Sequence, residues 1–165
     1  MIKVLLFDLS RTLLFPTDKK YKGELNKLHK ELSTNPNYIY AEHFYLDEGV
    51  LNYLKRIKDK YGLYVFTSGS IQNAPEIKPK LIEVFKKVYS VEEISLSKNN
   101  PKSYEFIAKD LGITPDEMWF IDDSEKNIKA AKSAGVNVRL FRDFDKLRQE
   151  LNELFEKSKN SITRG

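Results

Sequence analysis

Apolar residues fall in short continuous runs along most of the chain. Four such runs predict strands at 2–7, 61–67, 118–122 and 136–141, and a weaker strand is expected near 88–91. Continuous apolar runs of this length are typical of parallel strands that are buried on both faces. The pattern therefore predicts a central parallel sheet of about five strands.

Between these runs, apolar residues recur at three- and four-residue spacing, which predicts amphipathic helices. The predicted helices cover 50–60, 102–112, 124–135 and about 143–157. Gly112 and Gly135 are typical helix stops. The segment 114–117 (TPDE) has the pattern of a capping box with proline at the first helical position. Because strands alternate with helices, we predict an α/β fold, a Rossmann-like three-layer sandwich.

The stretch 14–46 departs from this alternation. It holds one helical pattern, 23–33, followed by an irregular segment rich in aromatic residues, 35–46. We interpret it as an insertion that lies over the mouth of the sheet. The expected organisation is a single domain over 1–158 with 14–46 as a small helical cap, and a frayed tail over 159–165.

Composition narrows the class of protein. The chain has 165 residues, of which 41% are hydrophobic and 32% charged, as in an ordinary globular domain. It has no cysteine, which excludes a disulfide scaffold, a thiolate zinc site and a cysteine nucleophile. The first apolar run is too short for a signal peptide or a membrane span, so we expect a cytoplasmic protein without a membrane partner. The net charge of +4 is spread along the chain, and we expect no nucleic-acid partner.

Polar side chains follow four of the predicted strands. Asp8 ends the first, Thr67, Ser68 and Gly69 end the second, Lys98 follows the weaker one, and Asp122 and Asp123 end the third long strand. Each alone can be an ordinary turn or cap residue, but ligands of parallel sheets bind beyond the carboxyl ends of the strands. Three carboxylates on one rim repel one another and call for a cation. Oxygen ligands suit Mg²⁺, which also accepts substrate phosphate oxygens.

Four segments resemble the motifs of the haloacid dehalogenase superfamily. They are FDLSRTL (7–13), VFTSGS (65–70), SKNNPKSYEFIAKDLGI (97–113) and WFIDDSEKNIKAAKSAG (119–135). The last two match in residue type and in spacing over long stretches. The resemblance implies the predicted fold with a small cap between the first two motifs. It also implies a magnesium-dependent phosphohydrolase acting on a phosphorylated substrate, expected to be a small molecule.

The resemblance also assigns roles to individual residues. It implies that Asp8 is the nucleophile and forms an aspartyl-phosphate. The phosphate-binding group is then Thr67, with the amides of Ser68 and Gly69, and Lys98 balances the charge. The implied magnesium ligands are Asp8, the backbone carbonyl of Ser10, Asp123 and Asp122.

Ser10 departs from the pattern of the family. Its phosphatases usually carry a second aspartate two residues after the nucleophile, which protonates the leaving group and then activates water. Serine is a poor acid or base near neutral pH, and general acid–base catalysis contributes about 10²–10⁴-fold. We therefore expect a slow or restricted enzyme that handles acyl phosphates or phosphoanhydrides best. The neighbouring Arg11 also replaces a small residue. Its charge could assist phosphate binding or simply face solvent, and we expect it to face solvent.

Other functions stay open. The site could bind phosphate without turnover and serve as a switch or interaction protein, which Ser10 favours. In a carbon–phosphorus bond hydrolase of this superfamily, a lysine of the cap forms a Schiff base with the substrate. The candidates for this lysine in the insertion are Lys19, Lys20, Lys22, Lys27 and Lys30. The shortness of the insertion makes that reaction less favoured, and the pair Asp122–Asp123 argues against dehalogenation.

The sequence also predicts where three further residues lie. His29 and His43 lack a spaced partner for metal binding, and we expect them on the surface of the insertion. Asn127 lies one turn into its helix and is expected to support Asp123 through a hydrogen bond.

Overall fold

A computed structural model of the protein describes residues 1–162, with the side chains of residues 1–157. The predicted frayed tail begins inside the last helix, and its final residues, 163–165, lie outside the described part. Along the described chain, no helix is both long enough and apolar enough to cross a membrane.

The strands of the described chain form two sheets. The larger sheet has five parallel strands, which are β1 (Val4–Phe7), β4 (Gly62–Thr67), β5 (Lys87–Ser90), β6 (Met118–Asp122) and β7 (Asn137–Leu140). Their order is β5-β4-β1-β6-β7. The smaller sheet pairs β2 (Leu14–Pro16) with β3 (Phe44–Leu46) in antiparallel fashion. The predicted five-stranded parallel sheet is thereby confirmed, and the small sheet is an addition that the sequence pattern did not predict.

Helices connect these strands. They are α1 (Leu25–Leu32), α2 (Tyr40–His43), α3 (Glu48–Ile57), α4 (Lys78–Val84), α5 (Val91–Ile94), α6 (Pro101–Asp110), α7 (Glu125–Ser133) and α8 (Phe144–Ile162). The predicted helices correspond to α1, α3, α6, α7 and α8. The last of these continues to Ile162, beyond the expected end at 157.

The central strand divides the core into two layers. In β1, Leu5 and Phe7 belong to a hydrophobic cluster that includes buried residues of α3 and α8. Val4 and Leu6 belong to a second cluster with buried residues of α6 and α7. Successive side chains of a strand point to opposite faces, so this alternation places helices on both sides of the sheet. The structure confirms the three-layer α/β sandwich.

The ends of two helices follow the predicted signals. Gly112 and Gly135 have φ angles of 66° and 83°, in the left-handed region that glycine enters without steric cost. The capping box at Thr114 is formed as well, since its amide donates to the Glu117 Oε2 at 3.0 Å. It opens only a 3-10 turn, Pro115–Glu117, because β6 begins at the next residue.

The insertion over 14–46 begins at β2 and ends at β3, which pair with each other. Between them, His29 packs against the rings of Tyr38, Tyr40 and Phe44. His29 Nδ1 also lies 3.0 Å from the Tyr38 hydroxyl. His43 stacks on Tyr38 at a centroid distance of 5.6 Å. Both histidines are therefore half-buried in an aromatic cluster, not on the surface as expected, and the cluster holds the insertion together.

Candidate active site

The register of the sheet brings the acidic residues together. Phe7 of β1 is aligned with Ile121 of β6, so the residues that follow, Asp8 and Asp122, are neighbours. The Asp8 amide donates to the Ile121 carbonyl at 2.8 Å, which extends this pairing by one residue. On the other side, β1 pairs with β4, which ends at Thr67. The strand ends therefore meet at one edge of the sheet, as predicted.

Lys98 lies at the centre of this edge. Its amine forms an ion pair with Asp8 Oδ1 and another with Asp122 Oδ2, the latter at 2.8 Å. The side chain is only 4% exposed, and the rings of Phe66 and Phe120 lie 5.8 and 5.7 Å from Nζ. Burial lowers the pKa of Lys98, but the two carboxylates outweigh burial and raise the pKa above its ordinary value. The lysine is thus held charged in a buried position.

The acidic cluster carries more negative charge than Lys98 can balance. Carboxylate oxygens of Asp8, Asp122 and Asp123 lie within 4.8 Å of one another. Burial raises the pKa of Asp8, and Asp122 and Asp123 raise it further, against the opposing effect of Lys98. Burial and the adjacent Asp122 likewise raise the pKa of Asp123. Three carboxylates beside one ammonium group favour a further cation, and their hard oxygen donors fit Mg²⁺.

Hydrogen bonds from neighbouring residues orient the carboxylates of Asp8 and Asp122. Thr12 Oγ1 donates to Asp8 Oδ2 at 3.3 Å. Asn127 Nδ2 donates to Asp122 Oδ2 at 3.0 Å, and the amide of Ser124 donates to Asp122 Oδ1 at 2.7 Å. Asn127 therefore supports Asp122, and the expected bond to Asp123 is not the one that forms. The reason is burial, since Asp122 is fully buried at the end of β6 whereas Asp123 begins the loop.

The loop that carries Lys98 is fixed by the helix that follows it. The buried Tyr104 of α6 donates its hydroxyl to the Lys98 carbonyl at 2.6 Å. Ser103 Oγ donates to the Ser97 carbonyl at 2.6 Å, and the Asn100 side chain caps α6 by accepting from the Lys102 amide. Tyr104 was not predicted as a site residue. It positions Lys98 by holding the carbonyl of its backbone.

The acidic cluster and Lys98 line a cavity of about 490 Å³. Its walls come from the sheet edge and from the insertion, and the lining residues are Asp8, Ser10, Arg11, Lys22, Gly23, Glu24, Leu25, Asn26, Ser68, Gly69, Lys98, Asp122, Asp123, Ser124 and Asn127. Thr67 is only 1% exposed and is not one of the lining residues. Ser10 Oγ is buried and has no hydrogen-bond partner among the described residues. Of the five lysines considered in the insertion, Lys22 alone lines the cavity.

Arg11 does not face solvent as expected. Its Nη2 donates to the carbonyl of Tyr21 at 3.1 Å and to the carbonyl of Gly23 at 2.7 Å, both in the insertion. Its backbone has a φ of 64°, which is uncommon for a residue with a side chain. Arg11 thus ties the loop after β1 to the insertion.

A second tie joins the insertion to the loop after β4. Asn26 Oδ1 of α1 accepts a hydrogen bond from the Ile71 amide at 3.0 Å. The Asn26 amide group packs so closely on Gly69 that a Cβ at that position would overlap it. The loop that holds Ser68 and Gly69 is therefore shaped by the insertion.

This contact predicts a coupled effect of two substitutions. Gly69→Ala is expected to reduce the free energy of unfolding by about 0.5–1.5 kcal/mol, because the new methyl group displaces the Asn26 side chain and breaks its hydrogen bond with the Ile71 amide. In an Asn26→Ala background, the same substitution is expected to cost much less, since the overlapping group is gone. Urea unfolding of the four chains measures both steps. Equal costs in the two backgrounds would show that Asn26 does not restrict Gly69.

The fold and the site together define an α/β protein with a buried lysine and a cluster of three carboxylates at the carboxyl edge of its sheet. A family model described as haloacid dehalogenase-like hydrolase matches residues 16–135. The chain belongs to this family.

Curated relatives match over a limited length. Enolase-phosphatase E1 of Aquifex aeolicus (strain VF5) is 50% identical over 42 residues, which cover 26% of this chain and 19% of the relative. Enolase-phosphatase E1 of Danio rerio is 32% identical over 81 residues, which cover 46% of this chain and 30% of the relative. The matches thus span less than a third of the length of these relatives.

Solved structures match over nearly the whole chain. A HAD family enzyme from Bacteroides thetaiotaomicron, in complex with magnesium and inorganic phosphate, has a TM-score of 0.61 at 20% identity. The alignment covers 89% of this chain and 99% of that chain. A predicted HAD-like family hydrolase from Porphyromonas gingivalis has a TM-score of 0.67 at 17% identity, covering 94% and 98%. At these identities the likeness supports the fold.

Proposed function

We propose that the chain is a magnesium-dependent phosphohydrolase in which Asp8 is the nucleophile. The observation that carries this proposal is the buried pairing of Asp8 with Lys98 beside Asp122 and Asp123, at the floor of an open cavity. In the first step, an Asp8 oxygen forms a bond to phosphorus while the bond from phosphorus to the leaving oxygen breaks. In the second step, water attacks the aspartyl-phosphate, which releases phosphate and restores the carboxylate.

The other groups at the sheet edge hold the phosphoryl group. The amides of Ser68 and Gly69, with the Thr67 hydroxyl, are proposed to bind its oxygens, and Lys98 balances their charge. Mg²⁺ would be held by Asp8, the Ser10 carbonyl, Asp122 and Asp123, and would neutralise charge on the phosphoryl oxygens. The magnesium and phosphate complex of the structural neighbour from Bacteroides thetaiotaomicron supports this assignment.

The insertion over 14–46 is proposed to act as a small cap within a single domain that spans 1–158. It supplies Lys22, Gly23, Glu24, Leu25 and Asn26 to the wall of the cavity. A phosphorylated small molecule fits a cavity of about 490 Å³. The name of the curated relatives, enolase-phosphatase, is consistent with a phosphorylated substrate.

Ser10 restricts the leaving group. Ser10 lines the cavity at the position where phosphatases of the family carry the aspartate that protonates the leaving oxygen. Acyl phosphates and phosphoanhydrides have leaving groups that need little protonation. We therefore propose that these substrates are turned over faster than simple phosphate esters.

The test is phosphate release from acetyl phosphate and from phenyl phosphate, with Mg²⁺ and with excess EDTA. We expect release with Mg²⁺, faster from acetyl phosphate, and a loss of about 10²-fold or more in EDTA, because the phosphoryl charge is then unbalanced. Thermal unfolding in EDTA is the control that the chain stays folded. Release that is equal with and without Mg²⁺ would contradict the proposal.

A second candidate function is a phosphoryl-binding switch, which the missing acid–base at Ser10 favours. In that case acetyl phosphate would phosphorylate Asp8 without release of phosphate. Intact-mass spectrometry would then show a stable phosphoryl adduct on the native chain. The carbon–phosphorus alternative is less favoured, because Lys22 is exposed whereas a Schiff-base lysine is activated by burial in an apolar pocket or by a neighbouring cation.

A further inference from the structure

Arg11 is a half-buried cation that pairs with no acidic side chain among the described residues. It lines the same cavity as Asp8 and Lys98. Within the described chain, no ion pair joins it to a carboxylate. Removing a charged group from water is costly unless it is paired. An arginine in this setting, held in a left-handed backbone conformation, favours a role in binding an anion.

The hydrogen bonds of Arg11 fix the direction of its guanidinium group. Both recorded bonds run from Nη2, to the carbonyls of Tyr21 and Gly23. A guanidinium group has five N–H donors, so these two bonds leave three donors on Nη1 and Nε for a ligand. Because Nη2 is anchored at two points, the group is preorganised and loses little further entropy when it binds an anion.

Lys22 lies between the two residues whose carbonyls hold Arg11. Its amine has one recorded contact, with the Lys19 carbonyl at 3.5 Å, and the side chain lines the cavity. Glu24 lines the same wall and carries the opposite charge. The insertion side of the cavity therefore has two cations and one carboxylate, and neither cation forms an ion pair in the part of the chain that the structure describes.

We propose that Arg11 and Lys22 form a second anion-binding subsite on the insertion side of the cavity. The preferred ligand then carries a carboxylate or a second phosphate besides the phosphoryl group at Asp8. The position of that phosphoryl group rests on the proposed function. The cavity of about 490 Å³ is large enough for an extended ligand of this kind.

The test compares three phosphonates, which contain no phosphate ester bond, by titration calorimetry on the magnesium-loaded protein. Propylphosphonate has one anionic group, whereas 3-phosphonopropionate and propane-1,3-bisphosphonate each have two. We expect at least one of the compounds with two anionic groups to bind about tenfold more tightly than propylphosphonate, which is the gain expected from one charge-assisted hydrogen bond. Arg11→Gln is expected to remove most of this advantage, and Lys22→Gln a smaller part.

Lys86→Gln is the matched control, because it removes one positive charge from an exposed residue outside the lining of the cavity. It should keep the full advantage. The subsite is overturned if the native protein binds all three compounds equally or not at all. It is also overturned if Arg11→Gln weakens all three by one factor, since Arg11 would then only anchor the insertion. Phosphate release is measured separately, so a failed hydrolase and a failed subsite give different results.

Discussion

Asp8→Asn is expected to lower phosphate release from acetyl phosphate by at least about 10⁴-fold, because the amide cannot attack phosphorus. The substitution keeps the size of the side chain. Its amide oxygen can still accept from the Lys98 amine, and its amide nitrogen can donate to the Thr12 hydroxyl in place of the bond that Asp8 accepts. The loss therefore reports the nucleophile and not the shape of the site. Steady-state phosphate release with Mg²⁺ measures it, and intact-mass spectrometry should show no phosphoryl adduct.

Two controls separate this effect from unfolding. Asp59→Asn makes the same chemical change at an exposed position and should retain native turnover. In EDTA, Asp8→Asn should unfold at a temperature equal to or above that of the native chain. The reason is that Lys98 keeps its ion pair with Asp122, while one of three clustered carboxylates is removed. Appreciable turnover by Asp8→Asn would rule out Asp8 as the nucleophile.

The sequence predicted the position of the site because its signals are local. Each buried strand is a continuous apolar run, and the residue that ends the run is the one at the sheet edge. Asp8 and Asp122 end such runs and could thus be placed together, whereas Lys98 lies beyond α5, in the loop after the weaker strand, where no apolar run marks it. The ion pairs of Lys98 join all three residues. The parallel topology explains why these residues meet, since it brings the carboxyl ends of neighbouring strands to one edge of the sheet.

The residues that the sequence analysis missed or misplaced act through contacts that no local pattern encodes. Tyr104 has the helical spacing of a core residue, and its bond to the Lys98 carbonyl depends on the path of the preceding loop. Arg11 was expected in solvent because arginine is usually exposed, but the left-handed turn at this residue directs it to the insertion. The pairing of β2 with β3 joins segments about thirty residues apart, and strand pairing at such separations is not visible in hydrophobic periodicity.

The insertion and the two loops form one connected structure. Arg11 ties the loop after β1 to the insertion, and Asn26 ties the loop after β4 to it. The nucleophile and the proposed phosphate-binding amides therefore depend on the same short segment for their positions. Changes in this segment are expected to affect binding and turnover together.

Ser10→Asp is the substitution expected to increase activity most. It restores a carboxyl group at the place where phosphatases of the family carry their acid–base, and general acid–base catalysis contributes about 10²–10⁴-fold. We expect a gain of this order for phenyl phosphate and a much smaller gain for acetyl phosphate, whose leaving group needs little protonation. The substitution breaks no side-chain hydrogen bond, since the native hydroxyl makes none with a described residue.

The matched control is Ser10→Asn, which has the same size as the aspartate variant but cannot transfer a proton. A fourth carboxylate near Asp8, Asp122 and Asp123 adds repulsion, so Ser10→Asp should unfold at a lower temperature than Ser10→Asn in EDTA and recover with Mg²⁺. If the aspartate variant hydrolyses phenyl phosphate no faster than the asparagine variant, the missing acid–base is not what limits this enzyme. A gain that is equal for both substrates would contradict the argument from the leaving group. It would place the missing carboxyl group in the second step instead, where water attacks the same aspartyl-phosphate for both substrates.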